Sequence, residues 1–263
     1  MCVTTSSPTR EVAVLGFGSI GSVVADELAA GRVPGARLSC VVGDRARGRV
    51  DVPVVDVDEA TARADVLIEC AGHAALLAHG ARILDSGTDL VISSVGALVD
   101  RDLRARLDAA GPGRTFLTTG ALGGLDLLVA GASAAPFGRV RLTTTKTPSA
   151  LVQDWMDDPQ RDALLGTDAP VVVFRGTAEQ AAPLFPRSLN VAATLALMLP
   201  ESEVEVELVA DPAATLVSHV VEADGPVGTY RFEVRNRPSP TNPRTSQVVP
   251  YAVLRTLRQA LAV

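Results

Sequence analysis

A glycine-rich turn near the amino terminus is the clearest chemical signal in this sequence. The apolar run Val12–Leu15 opens directly into a G-x-G-x-x-G motif, and helix-forming residues follow. In this strand–turn–helix context the glycines permit a tight turn, a close approach of a pyrophosphate to the backbone, and close packing of helix on strand. The free amides and the dipole of the helix then face the phosphates. The residues predicted to bind the dinucleotide phosphates are Gly16, Gly18, Ser19, Ile20 and Gly21.

Asp44 follows the second predicted strand and is a candidate for recognition of the cofactor ribose. An acid at this place accepts hydrogen bonds from the ribose hydroxyls of NAD. Arg45 and Arg47 come directly after it, and a guanidinium can instead pair with the 2′-phosphate of NADP. The residues favour NAD modestly, while use of both cofactors, or a plain solvated turn, stays open.

A third segment with small residues ends another predicted strand, Val66–Glu69. In an open parallel sheet the carboxyl edge faces the cofactor. Ala71 and Gly72 are small enough to let the nicotinamide ribose approach the backbone, so both are predicted cofactor contacts. His73 is interpreted as a polar loop residue.

His219 is the candidate for proton transfer. It lies in an apolar strand and shares a face with Val217 and Val221 by the period of two. An imidazole in such a place needs a hydrogen-bond partner or a function. It titrates near neutrality and can move protons in carbonyl, imine or amine interconversion. From the residues alone, a hydrogen-bonded structural histidine is favoured over a catalytic one.

Lys146 is the single lysine among 24 basic residues. It ends a predicted strand and can supply a compact point charge that a guanidinium cannot. Chance explains equally well why one lysine occurs among so many arginines.

The first half of the chain would position the dinucleotide site. Short apolar runs alternate with helical stretches, which is typical of βαβ units and predicts an α/β fold with a doubly wound parallel sheet of the Rossmann type. The predicted strands are Val12–Leu15, Leu38–Val42, Val66–Glu69, Leu90–Ser93 and Thr115–Thr118, and the predicted helices are Ser19–Ala30, Asp58–Arg63, Ala74–Asp85 and Asp100–Ala110. We place this dinucleotide-binding domain at residues 1–118.

Residues 119–243 predict a second, α+β domain for catalysis and dimerisation. The strand pattern predicts a mostly antiparallel sheet, and ligands are expected in the cleft between the two domains. A loop rich in proline and asparagine is predicted over Arg235–Pro243. A closing helix is predicted over Thr245–Leu261, with residues 244–263 packing back on the first domain. The predicted strands are Val140–Lys146, Val171–Arg175, Glu203–Leu208, Thr215–Glu222 and Thr229–Val234, and the predicted helices are Gly123–Ala135 and Ser188–Leu199.

Composition excludes several classes of function. The net charge is −6 with no basic block, which argues against nucleic acid and anionic membranes as partners. No apolar run reaches the length of a membrane span, and the amino terminus lacks a signal sequence, so a cytoplasmic location is expected. Cys2, Cys40 and Cys70 have no metal-ligand spacing, so we expect no metal site and inert thiols.

Taken together, five segments resemble the L-aspartate dehydrogenase family, and the resemblance runs nearly end to end. It implies a Rossmann domain joined to a catalytic domain of the dihydrodipicolinate-reductase-like type. It also implies that Ala121 and Asn190 contact the nicotinamide cofactor and that His219 is catalytic, which reverses the interpretation of His219 from the residues alone. The segments are Gly16–Gly21, Thr119–Asp126, Phe185–Ala193, His219 and Pro238–Ser246.

The activity that this resemblance implies is the reversible NAD(P)-dependent oxidative deamination of L-aspartate. The products are iminosuccinate and then oxaloacetate with ammonia. A dicarboxylate needs cations or hydrogen-bond donors at both ends. By residue type alone, the candidate substrate contacts are Lys146, Asn242, Arg244 and Thr245. Each can equally stabilise a loop or a helix start, and Thr245 suits helix capping.

Other functions stay open at this point. Ser188 and Arg244 stand where the family pattern often has Asn and Lys, which leaves room for another amino acid or for imine reduction. Another oxidoreductase on the same scaffold is a second possibility, although the Lys-Pro pair of sugar-type dehydrogenases is missing at Ser93–Gly96. A non-enzymatic nucleotide-binding sensor is a third. We expect a homodimer, because antiparallel sheets of second domains often meet across a two-fold axis.

Overall fold

The structure, a computed structural model, describes residues 8–185 and 190–262, apart from the side chain of Arg244. The chain divides into two compact units. The first comprises the residues up to Thr118 together with the segment from Pro250 onward, and the second comprises Thr119–Val249.

The first unit is an open sheet of parallel strands alternating with helices. Its sheet order is β3-β2-β1-β4-β5-β6, and every neighbouring pair is parallel. This is the strand order of a Rossmann fold, so the predicted doubly wound sheet is confirmed. The strands are β1 (Arg10–Leu15), β2 (Ala36–Val42), β3 (Val54–Val55), β4 (Val66–Glu69), β5 (Asp89–Ile92) and β6 (Thr115–Leu117), and the helices are α1 (Gly21–Ala29), α2 (Val57–Arg63), α3 (His73–Asp85) and α4 (Arg101–Ala109).

Burial and capping explain why these residues form these elements. All residues of β4 and β5 are buried, as expected for strands covered on both faces. The side chain of Asp56 accepts a hydrogen bond from an amide of α2, and Asp100 does the same for α4. β3 has only two residues and gave no sequence signal, whereas His73 opens α3 and does not lie in a loop as predicted.

The second unit is a mixed sheet with helices, which confirms the predicted α+β class. Its main sheet has the order β11-β10-β7-β9-β8, and only the β7–β9 pairing is parallel. The strands are β7 (Arg139–Lys146), β8 (Val171–Gly176), β9 (Val204–Ala210), β10 (Val217–Gly225), β11 (Gly228–Asn236), β12 (Pro238–Ser239) and β13 (Asn242–Ser246), and the helices are α5 (Leu125–Ala134), α6 (Pro148–Leu151), α7 (Asp158–Leu165), α8 (Ala178–Ala181) and α9 (Asn190–Met198).

One face of this sheet is covered by helices. Buried residues alternate along β7, β9 and β10, so every second side chain points to the covered face. Helices α8 and α9 contact β9, and α9 also contacts α5. A Cβ built on Gly124, directly before α5, would lie 2.6 Å from the ring of Phe232 in β11. The segment that leads into α5 therefore rests on β11.

The last helix, α10 (Val249–Leu261), belongs to the first unit from Pro250 onward. Val253, Leu254 and Leu257 are spaced along one helix face and are buried in the core of that unit. The guanidinium of Arg258 also donates a hydrogen bond to the carbonyl of Arg32.

Two predictions for the segment before α10 are wrong. Arg235–Pro243 is not a loop throughout, because β11 continues to Asn236 and the following residues form β12. The closing helix begins at Val249 and not at Thr245. The cause is the pairing of β12 with β13, which takes residues 242–246 into a strand.

No helix among the described residues is long and apolar enough to cross a membrane. Within the same part of the chain, His, Cys, Asp and Glu form no cluster that could hold a metal ion.

Candidate functional site

The glycine turn of the first unit is built so that two of its positions accept only glycine. Gly16 has a φ of +96°, and a Cβ there would lie 2.7 Å from the backbone nitrogen of Ala71. A Cβ on Gly21 would lie 1.9 Å from the carbonyl oxygen of Gly16. The turn therefore packs directly against both the loop after β4 and the start of α1.

The remaining positions of this turn leave space for a ligand. Among the described residues other than Gly18 itself and its two chain neighbours, no heavy atom comes within 4 Å of a Cβ built on Gly18. Ile20 is the N-cap of α1, gives no side-chain cap hydrogen bond, and is followed by a first turn without acidic residues. Ser19 is half-buried beside it. Open space at Gly18 and the positive end of a helix dipole fit the pyrophosphate of a dinucleotide.

Ala71 and Gly72 lie at the carboxyl edge of the sheet, as predicted. Gly72 has a φ of +105°, and the amides of both residues donate hydrogen bonds of 2.8 Å to Oε1 of Glu69. These two amides are therefore already engaged in hydrogen bonds. The contribution of Ala71 and Gly72 to cofactor binding would be their small size, which lets a cofactor approach the backbone. Sequence reasoning missed the role of Glu69, although an acid in an otherwise apolar strand was a signal.

Asp44 and Arg45 form a short turn at the end of β2. Gly43, with a φ of +137°, redirects the chain there. The side chain of Asp44 is 91% exposed, and its carboxylate lies 3.0 Å from Nε of Arg47. Arg45 is exposed as well. Both an acid and guanidinium groups are thus accessible at the position where a ribose would be recognised.

In the second unit, His219 lies on the covered face of the sheet, with 3% of its surface exposed. Its cross-strand neighbours are Thr144 on β7 and Val234 on β11. Nδ1 of His219 lies 3.0 Å from Oγ1 of Thr144. Because Nδ1 is engaged in this hydrogen bond, proton transfer would use Nε2. The sequence did not identify Thr144, since its pairing depends on the register of two distant strands.

Lys146 shares the covered face with Thr144 and affects the charge state of His219. It is the last residue of β7 and is 5% exposed. Burial and the nearby positive charge of Lys146 together lower the pKa of His219 to about 3. The imidazole is therefore neutral at physiological pH.

Ala121 lies against the same part of the sheet. Its carbonyl oxygen accepts a hydrogen bond of 3.3 Å from Nδ2 of Asn236. Two residues on, a Cβ built on Gly123 would lie 3.3 Å from the side chain of Val234, the neighbour of His219. The loop that carries Ala121 is thus held close to the strand beside His219.

Asn190 is the first residue of α9 and is half-buried. Its carbonyl oxygen accepts a hydrogen bond of 2.8 Å from the hydroxyl of Thr194. The preceding residues 186–189, which include Ser188, lie outside the described residues.

The predicted substrate residues near the end of the second unit lie on β13. Nδ2 of Asn242 donates a 3.3 Å hydrogen bond to Oγ1 of Thr245. Thr245 is a strand residue and caps no helix, and the side chain of Arg244 lies outside the described part of the structure. Asn242 also lines a pocket of about 360 Å³ together with Thr147, the residue after Lys146. The complete lining is Thr147, Ser149, Ala150, Thr241, Asn242 and Pro243.

Comparison with known proteins identifies the family. A model described as aspartate dehydrogenase, C-terminal, matches residues 126–260, and a model of the NAD-binding domain of homoserine dehydrogenase matches residues 16–113. The L-aspartate dehydrogenase of Ruegeria pomeroyi is 36% identical over 94% of this chain and 91% of the relative. The chain belongs to the aspartate dehydrogenase family.

Further relatives and a solved structure support the same family. The L-aspartate dehydrogenase of Thermotoga maritima is 37% identical over 79% of this chain and 83% of the relative. The crystal structure of aspartate dehydrogenase from the same organism matches with a TM-score of 0.72 at 28% identity and covers 95% of this chain and 96% of that chain. A scyllo-inositol dehydrogenase from Lactobacillus casei, with a TM-score of 0.54 at 14% identity, shares the fold alone. The predicted family, fold class, NAD(P) cofactor and enzyme class, an NAD(P)-dependent amino-acid dehydrogenase, are confirmed.

Two substitutions in the glycine turn should distinguish its role in stability from its role in cofactor binding. Gly21→Ala should lower the free energy of unfolding by about 3 kcal/mol, because its Cβ meets backbone that cannot move cheaply. Gly18→Ala should change stability by less than about 1 kcal/mol but raise the dissociation constant for NAD at least about tenfold, because its methyl group would fill the space where a pyrophosphate approaches. Urea unfolding and calorimetric titration measure the two effects. Wild-type affinity in a folded Gly18→Ala protein would contradict this assignment.

The buried imidazole predicts a specific pH dependence of stability. In the folded state the pKa of His219 is lowered from 6.5 to about 3. Below about pH 6.5 the unfolded chain therefore binds a proton at His219 that the folded chain does not, and stability falls with falling pH by up to about 1.4 kcal/mol per pH unit. His219→Gln, which cannot titrate, should lack this contribution in urea unfolding between about pH 7 and about pH 5. Identical slopes for the two proteins would show that His219 is not buried in its neutral form.

Proposed function

We propose that the protein catalyses the reversible NAD(P)-dependent oxidative deamination of L-aspartate to iminosuccinate, which water converts to oxaloacetate and ammonia. The observation that carries this proposal is the neutral imidazole of His219, held by Thr144 beside the buried cation of Lys146. A proton acceptor next to a positive charge suits a substrate that has an ammonium group to deprotonate and carboxylates to bind.

We assign the cofactor contacts to the residues that the sequence predicts for this role. The glycine turn would bind the pyrophosphate, Asp44 the ribose of the adenosine half with Arg45 beside it, and the small residues after β4 the nicotinamide ribose. Ala121 and Asn190 would contact the nicotinamide, whose carboxamide the Asn190 side chain can hold. When bound, NAD(P) supplies the hydride acceptor. The assigned residues are Gly16, Gly18, Ser19, Ile20, Gly21, Asp44, Arg45, Ala71, Gly72, Ala121 and Asn190.

His219 acts in this proposal as the base. The lowered pKa keeps the imidazole neutral at neutral pH. In the tautomer that donates its Nδ1–H to Oγ1 of Thr144, Nε2 carries no proton and can take one from the substrate ammonium group. A bound dicarboxylate would offset the charge of Lys146 and raise the proton affinity of the imidazole when the proton is transferred. After that proton has passed to solvent, the same nitrogen can take a proton from the water that attacks the imine.

The substrate carboxylates would be bound by Lys146 and by the polar residues near β13. Lys146 contributes the charge, and the pocket lined by Thr147, Ser149 and Asn242 contributes hydroxyl and amide donors. Arg244 and Thr245 remain candidates for the second carboxylate by residue type alone.

We further infer a homodimer located in the cytoplasm. Val171 and Val172 on the edge strand β8 and Leu127 on α5 are among the exposed large apolar side chains, which favours self-association. Light scattering on the purified protein gives the oligomeric state directly.

A substrate panel tests the proposed reaction. Appearance of reduced nicotinamide is followed with L-aspartate, L-glutamate, L-asparagine and L-alanine, each with NAD and with NADP. L-Aspartate should give the highest kcat/KM, and the two cofactors should differ by no more than about a thousandfold, because Asp44 stands beside Arg45 and Arg47. A preference for another amino acid would contradict the proposal, and an absolute requirement for NADP would contradict the assignment of Asp44 to the ribose.

Variants of the His219 pair test the mechanism. His219→Gln should lower kcat by about 10²–10⁴-fold while the dissociation constant for NADH stays within about twofold, because only proton transfer is lost. Thr144→Val removes the hydrogen bond to Nδ1 and should lower kcat and shift the pH profile, whereas Thr144→Ser keeps the hydroxyl and should restore both. Near-normal turnover of His219→Gln would remove this residue from the mechanism.

A further inference from the structure

Glu69 is a fully buried carboxylate that the proposed mechanism does not use. It is the last residue of β4, between Leu15 of β1 and Ile92 of β5, and is 0% exposed. Oε1 accepts hydrogen bonds from the amides of Ala71 and Gly72, each 2.8 Å, and from the hydroxyl of Ser94 at 2.9 Å. Oε2 accepts a 2.9 Å hydrogen bond from the amide of Ser94.

These hydrogen bonds suit the ionised form of the side chain. Three of the four donors are backbone amides, which can only donate, so both oxygens of Glu69 act as acceptors. Burial raises the pKa of Glu69 overall, and the amides of Gly72, Ser94 and Ala71 together with the Ser94 hydroxyl offset only part of this effect by stabilising the carboxylate. The donors named here are neutral, so they stabilise the carboxylate without adding a positive charge to it.

The position of Glu69 relates this charge to one half of the cofactor. A dinucleotide crosses the carboxyl edge of a Rossmann sheet where the strand order reverses, which here is between β1 and β4. The glycine turn and Asp44 belong to β1 and β2 and assign the adenosine half to that side. The nicotinamide half then falls to the side of β4, which Glu69 ends. The residues that Glu69 holds, Ala71 and Gly72, form the loop directly behind this edge.

We propose that Glu69 is a positioning residue whose negative charge makes the site prefer oxidised over reduced nicotinamide. This inference rests on the proposed use of NAD(P). The oxidised ring carries a positive charge and the reduced ring is neutral, so a fixed buried anion stabilises the oxidised form selectively. One unit charge acting over about 10 Å at an effective dielectric constant of about 20 changes the relative affinity by on the order of tenfold. Glu69 thereby raises occupancy of the site by the oxidised cofactor and lowers the reduction potential of the bound cofactor, while the overall equilibrium of the reaction is unchanged.

Paired binding measurements test this role. The dissociation constants of NAD⁺ and NADH are measured by calorimetry for the wild-type protein and for Glu69→Gln. The ratio of the NAD⁺ constant to the NADH constant should rise about tenfold in the variant, because only the charge-dependent preference is lost. If both constants change by the same factor, Glu69 is a structural clamp alone and the proposal is wrong.

Two further variants separate charge from hydrogen bonding. Ser94→Ala removes a neutral donor to Glu69 but keeps the carboxylate, so the ratio should stay within about twofold of the wild-type value. Glu69→Asp keeps the charge and shortens the side chain, and it supplies the decisive comparison if Glu69→Gln does not fold. Glu69→Asp can raise the dissociation constants of both NAD⁺ and NADH, but the ratio of the two constants should stay at the wild-type value. A tenfold shift of this ratio in Glu69→Asp would overturn the proposal.

The same data distinguish this inference from the proposed function. If the wild-type protein binds neither NAD⁺ nor NADH, the proposed function itself fails. If it binds both and the ratio is unchanged in Glu69→Gln, only the role of Glu69 fails.

Discussion

The proposed chemistry depends on one hydrogen bond on the buried face of a sheet, between Nδ1 of His219 and Oγ1 of Thr144. An imidazole on a buried face without a partner would cost several kcal/mol. Thr144 supplies that partner and at the same time leaves Nε2 for proton transfer. The pair exists because β7 and β10 lie in one register, since a shift by one residue would turn both side chains to the opposite face. The alternating apolar residues of these strands fix that register through burial.

The first unit depends on a constraint of a different kind, which is the close approach of backbone to backbone. Gly16 and Gly21 are required by contacts within the protein, whereas Gly18 faces open space. The buried carboxylate of Glu69 then holds the loop after β4 against the turn. Packing therefore constrains Gly16 and Gly21, whereas the proposed ligand binding constrains Gly18. Single substitutions can distinguish the effect on stability from the effect on binding.

The sequence predicted most of what is encoded by short-range patterns. The strands and helices of the Rossmann unit follow from apolar periodicity, and the glycine turn is a contiguous motif. Thr144 was missed because it is 75 residues from His219, and only the pairing of β7 with β10 brings them together. The β12–β13 pairing was missed because strands of two and five residues in a proline-rich segment give no clear period. The catalytic role of His219 is predicted through family resemblance, since its residue pattern alone favours a structural histidine.

The charge state of His219 in the free protein is the property on which this account stands. Nuclear magnetic resonance of ¹⁵N-histidine-labelled protein measures it directly, with His219→Gln used to assign the signal. We expect a neutral imidazole from about pH 7 down to about pH 5, because burial and Lys146 lower the pKa to about 3. A titration midpoint near the ordinary histidine value of about 6.5 would show a solvated imidazole and contradict the account.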